Sequence, residues 1–320
     1  MLNKAYFLMT QIINNKINIL SKLNFYLISL LPIGLLAGSL VSNIIVILIS
    51  FIFIIDQVFK KESFMIKNFN FYFLLIIYFY LLLNSLLVSN NFDSIIRSIG
   101  FIRFILLSFA ISYYFNFFSE KILKIWIYTF FIVSIDIIFE FIFGHNMIGF
   151  SSDYPGRIAS FTGDELKIGG YYFGFISLSI LFIKNKNIKF TFLLAIIFLI
   201  IALLIGERSN FIKIFIFFIL YLIFFLKIPK LKKMMVVSLI TILPIILILN
   251  SHSFKTRYYN HVFGSYSEGL KENKKLDLNF IISNNEHLIL YNTAIGIFLE
   301  KPIFGSGIKT FRNVCNNEKY

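Results

Sequence analysis

The chain is 320 residues long, 58% apolar and only 14% charged, with a mean hydropathy of +0.82. Soluble domains run nearer about 45 to 50% apolar and about 25% charged, so this chain has too little polar surface to coat a water-soluble globule, which excludes a cytosolic enzyme. The net charge of +14 does not mark a nucleic-acid-binding protein, because the basic residues sit in short clusters between apolar runs rather than on one solvated face.

Apolar runs fall at 24–43, 44–59, 71–89, 94–118, 122–143, 168–183, 190–206, 210–226 and 234–250. At roughly 20 apolar residues per span they predict an all-α fold, a polytopic transmembrane helical bundle of nine spans. The division expected is a cytoplasmic N-terminal segment over 1–23, the bundle over 24–250 and a periplasmic segment over 251–320, incomplete at its end. The basic start and first apolar run resemble a secretory signal, but no small-residue cleavage site follows, so the run is read as a retained signal anchor.

Charge gives the orientation. Lys4, Lys16 and Lys22 precede the first run, Lys60, Lys61 and Lys67 follow the second, and Lys121 and Lys124 follow the fourth. Lys184, Lys186 and Lys189 follow the sixth, and Lys227, Lys230, Lys232 and Lys233 follow the eighth. Alternate gaps are nearly bare. Short loops rich in Lys and Arg stay in the cytoplasm, so the N-terminus is expected inside and the tail outside, in a multi-pass protein of the bacterial inner membrane.

Polar groups near the spans are the candidates for chemistry, since a charge at mid-bilayer costs about 2.5 to 3.5 kcal/mol on insertion scales. Gly206-Glu207-Arg208-Ser209-Asn210 breaks two long apolar runs. Its arginine either snorkels to lipid phosphate or forms an anion site with the N-terminal amides of the next helix. Arg257 stands seven residues beyond the ninth run, where it can reach a lipid-borne phosphate or serve as a solvated anchor. In the loop from Phe143 to Tyr172, Arg157, Asp164 and Glu165 either make turns or order a glycan-binding surface.

Asp136 and Glu140 are four apart and share a helix face. They suit a proton relay, or a structural pairing of Asp136 with Arg97 or Arg103. In the tail, an amphipathic stretch carrying His287 runs to Leu299 and is followed by Pro302 and the turn Gly305-Ser306-Gly307. One cysteine, Cys315, and four histidines leave no thiolate cluster and little scope for a metal. No metal and no cofactor is expected.

With these features the chain resembles the O-antigen ligase and O-antigen polymerase family. The resemblance rests on Arg157 through Gly170, Gly206 through Asn210, Arg257, and Glu300-Lys301-Pro302-Ile303-Phe304-Gly305-Ser306-Gly307 with Phe311 after it. It implies a glycosyltransferase that takes a glycan from a polyprenyl-diphosphate donor to a sugar hydroxyl on a lipid-core or glycan acceptor, at the periplasmic side and among membrane lipids. Arg208 and Arg257 would then bind the diphosphate.

The family's catalytic histidine lies in a stretch that this sequence does not reach before Tyr320, which implies a truncated chain. His287, the tail histidine set in a helix-like context, either packs and hydrogen-bonds there or stands in as the catalytic base. The alternative is a secondary transporter or lipid-linked-glycan flippase that uses Asp136, Glu140, Arg97 and Arg103 as buried coupling charges.

Overall fold

Long unbroken runs of Ile, Leu and Phe satisfy their backbone polar groups internally only as helix when no water is available, and helix is what forms. The structure is a computed structural model, in which residues 19–89, 91–154, 156–165, 167–183, 188–224, 229–251, 254–260 and 286–315 are described. Among them there is no strand. The helices are α1 (Ile19–Leu36), α2 (Ser39–Phe59), α3 (Phe69–Asn84), α4 (Phe92–Gly100), α5 (Ile102–Phe143), α6 (Ile168–Ile183), α7 (Ile188–Leu204), α8 (Arg208–Phe224), α9 (Lys230–Asn250), α10 (Glu286–Glu300) and α11 (Phe311–Val314).

Five stretches among the described residues are long and apolar enough to cross a membrane: Ile19–Leu36, Ser39–Phe59, Phe69–Ser89, Phe92–Phe143 and Lys233–Asn250. The sixth to eighth runs form helices of 16, 17 and 17 residues, about 24 to 26 Å at 1.5 Å per residue, somewhat under a hydrocarbon core of about 30 Å. The fifth run and all of the fourth from Ile102 onward, read from the sequence as two spans, lie on the one continuous 42-residue helix α5, about 63 Å long. The residues that part them, Ser119, Glu120 and Lys121, are polar but include neither glycine nor proline. They interrupt the hydrophobicity without removing a helical hydrogen bond.

The chain divides into two compact units, Met1–Ile28, Ile44–Phe118 and Ser265–Tyr320 in one, Ser29–Asn43 and Ser119–Gly264 in the other. In the first unit the apolar core of Ile28, Ile49, Phe53 and Phe109 encloses a polar knot. Asp56 is fully buried, and its Oδ2 accepts from Lys60 Nζ at 2.9 Å, Tyr114 OH at 2.7 Å and Ser21 Oγ at 3.1 Å. Removing one partner from such a buried pair costs about 3 to 5 kcal/mol, so the knot fixes how α2 and the first half of α5 meet.

The tail motif closes the same unit. Asn84 Nδ2 donates to Phe304 O at 2.6 Å and Tyr80 OH to Ile303 O at 2.8 Å, while the rings of Tyr80 and Phe304 stack at 6.2 Å. Gly307 lies at φ +102°, and a Cβ there would sit 2.5 Å from Ser89 Cβ. The glycine is required by the close approach of the π-helical turn Ser85–Ser89.

The second unit packs α6, α7 and α8 on one another around Phe130, Ile137, Tyr172, Ile176, Phe198 and Phe218, all nearly or fully buried. This core holds both ends of the turn that joins α7 to α8.

Candidate functional site

The joint between α7 and α8 is tight because Gly206 adopts φ +76°, a left-handed conformation that L side chains avoid. A Cβ at Gly206 would meet Gly156 O at 2.1 Å and Arg157 Cα at 3.4 Å. The Arg157 loop therefore lies directly on this turn, held there by the hydrogen bond from Ile158 N to Ile205 O at 3.2 Å. Glu207 O accepts from Phe211 N at 2.9 Å, which starts α8 at this turn and leaves its first amides without intrahelical partners.

The third segment arrives from beyond α9. Arg257, on the π-helical turn Lys255–Asn260, donates from Nε to Gly206 O at 3.0 Å. Its neighbour Tyr258 donates to Leu203 O at 2.9 Å and packs edge-on against Phe211 at 5.6 Å. Burial holds the Arg257 guanidinium below its ordinary pKa, and the charges of Arg157 and Arg208 push it the same way, with Glu207 opposing. Burial raises the Tyr258 phenol, which stays neutral.

A guanidinium keeps its proton under such pressure, so the arrangement is net positive, three arginines against the one carboxylate of Glu207. Arg157 Nε is buried without a hydrogen-bond partner among the described residues. Three arginines from three segments thus act on one turn, together with the N-terminal end of α8. That set suits an anion with several oxygens, bound through charge-assisted and bidentate hydrogen bonds.

Asp136 and Glu140 hold the Arg157 loop in place. Both are buried, at 0% and 5% exposure. Asp136 accepts from Met147 N at 2.8 Å through Oδ1 and from Ser160 Oγ at 2.5 Å through Oδ2. Glu140 accepts from Ala159 N at 3.1 Å and Ser160 N at 2.5 Å. Ser160 itself is at φ +50°, a strained position that these bonds stabilise. Asn146 completes the clamp, donating to Ser160 O at 2.7 Å and accepting from Phe150 N at 2.8 Å. The carboxylates, read from the sequence as a proton relay or, for Asp136, as a partner of Arg97 or Arg103, are engaged by the loop that follows their own helix.

Of the residues singled out in the sequence, Arg157, Arg208 and Arg257 come together. Asp164 and Glu165 end the 3-10 turn Ser160–Glu165, and His287 lies in the first turn of α10; the side chains of these three fall outside the described residues. Sequence reasoning missed the anchoring role of Asn146 and Ser160. Their only signal was their position among the turn-forming residues of the loop. It also missed the Asp56 knot, although the i,i+4 spacing of Asp56 and Lys60 is a helix-pair signature. Comparison of the chain with family models, with curated proteins and with solved structures finds no match.

Proposed function

We propose that the protein is a multi-pass inner-membrane glycosyltransferase of the O-antigen ligase or polymerase type, moving a glycan from a polyprenyl-diphosphate donor to a sugar hydroxyl. In this reading the lysine-rich gaps that follow α6 and α8 face the cytoplasm, as short basic loops do, and the Gly206 turn and the tail face the periplasm. The observation that carries it is the convergence on Gly206 of the loop with Arg157, the start of α8 at Arg208, and Arg257. As the anomeric C–O bond breaks, negative charge grows on the departing diphosphate. Guanidinium groups already fixed there stabilise that charge more in the transition state than in the ground state.

A proton-coupled transporter or flippase would need carboxylates free to exchange protons with substrate or water. Asp136 and Glu140 each accept two hydrogen bonds from the loop, which favours the transferase. The test is Arg208→Ala in the host cell, with protein abundance in the membrane measured in parallel. Loss of lipid-linked glycan incorporation at unchanged abundance is the expected outcome, and normal surface glycan sinks the reading.

A further inference from the structure

Beside the arginine turn lies a cleft of about 460 Å³ between the start of α6 and the start of α8. Ligand sites commonly run from about 300 to 1,000 Å³, so it takes a molecule of one or two sugar rings. Tyr171 and Phe175, with ring centroids 4.6 Å apart, line it together with the polar side chains of Thr162, Lys167, Glu207 and Asn210. Aromatic faces next to an amide, a carboxylate, a hydroxyl and an ammonium match a sugar, whose C–H faces are apolar and whose edge is hydroxylated. Tyr171 is 8% exposed, and its hydroxyl has no partner among the described residues. That hydroxyl is itself shielded, so the cleft meets Tyr171 through its ring.

Glu207 is held in this cleft by construction. Asn210 Nδ2 donates to its Oε2. A Cβ at position 169 would stand 2.2 Å from that same oxygen, so Gly169 leaves the space the carboxylate fills. The Glu207 charge is felt at Arg257, and Arg208 follows it in the chain. The cleft thus shares the Gly206 turn with the anion site.

We propose that this cleft binds the acceptor sugar and that Glu207 is a catalytic residue, the base that takes the proton of the attacking hydroxyl; the assignment rests on the transferase reading above. The acceptor oxygen forms a bond to the anomeric carbon as the bond from that carbon to the diphosphate oxygen breaks. The electron pair leaves with the diphosphate, and the hydroxyl proton passes to the Glu207 carboxylate. No oxidant, reductant or metal is required for this balance.

The experiment uses the full chain purified in detergent, a polyprenyl-diphosphate-linked sugar as donor and a free glycan as acceptor, with rates normalised to extracted protein. Glu207→Gln keeps an oxygen for Asn210 and is expected to lower kcat by about a hundred- to a thousandfold, with the donor KM unchanged. Formate is expected to restore part of the rate to Glu207→Ala and none to Arg208→Ala, a rescue that a purely structural carboxylate does not give. Glu207→Gln retaining more than about a tenth of the wild-type rate while Arg208→Ala is inactive overturns the base and leaves the transferase standing. Absence of formate rescue in Glu207→Ala overturns it likewise, and absence of transfer by the wild-type protein overturns both assignments.

Discussion

Arg257 Nε donates a hydrogen bond to the carbonyl oxygen of Gly206 at 3.0 Å, joining two residues that the sequence separates by an entire pair of apolar helices. The carbonyl belongs to a turn whose backbone no side-chain-bearing residue can adopt without meeting Gly156. The arginine is therefore oriented by a rigid acceptor. One donor is spent on the protein, and among the described residues the planar group keeps its other donors for an anion.

Arg257→Lys separates charge from geometry. Lysine keeps the positive charge but presents no Nε to Gly206 O, and a hydrogen bond from a charged group contributes about 1.5 to 3 kcal/mol. Inorganic pyrophosphate titrated into the purified protein by calorimetry is expected to bind about ten- to a hundredfold more weakly than to wild type. Equal affinity would show that charge alone suffices and that the Gly206 bond does not orient the site.

Ser160→Ala tests the clamp. The change removes the hydroxyl that Asp136 Oδ2 accepts from and leaves a buried carboxylate oxygen short of a partner, at a cost of about 1 to 3 kcal/mol. The expected result is faster protease cleavage between residues 145 and 160 in detergent, with weaker pyrophosphate binding and no loss of helix content by circular dichroism. Unchanged cleavage and binding would mean that Glu140 and Asn146 hold the Arg157 loop without Asp136.

Cysteine labelling tests the orientation. With Cys315→Ser as background, Ser209→Cys is expected to react with an impermeant maleimide added outside spheroplasts, and Lys230→Cys, at the start of α9, only after the membrane is opened. Shielding of Ser209→Cys from the outside reagent would put the Gly206 turn on the cytoplasmic side, and the transferase reading fails.

The helical class was legible because hydrophobicity alone dictates it: with backbone groups shielded from water, runs such as 190–206 have one solution. The convergence of the arginines was legible only as separate points. Nothing local to Arg257 and Tyr258 announces Gly206 and Leu203 as their partners, and only the glycine at 206 hints at a close approach. Ser119, Glu120 and Lys121 misled for a physical reason, since a polar step breaks an apolar pattern without breaking a helix. Asp136 and Glu140 misled differently. Their spacing correctly put them on one face, but the donors that occupy them come from Met147, Ala159 and Ser160, in a loop without periodicity.

The clamp between Asn84 and Phe304 has a consequence for biogenesis. Its two halves leave the ribosome 220 residues apart, so the π-helical turn Ser85–Ser89 waits without its Phe304 cover while the intervening helices are inserted. Long-range closures of this kind come last and slowly. During that interval the Asn84 amide lacks the acceptor that the Phe304 carbonyl later supplies, so a polar group on a mostly apolar helix stays unmet until the tail arrives.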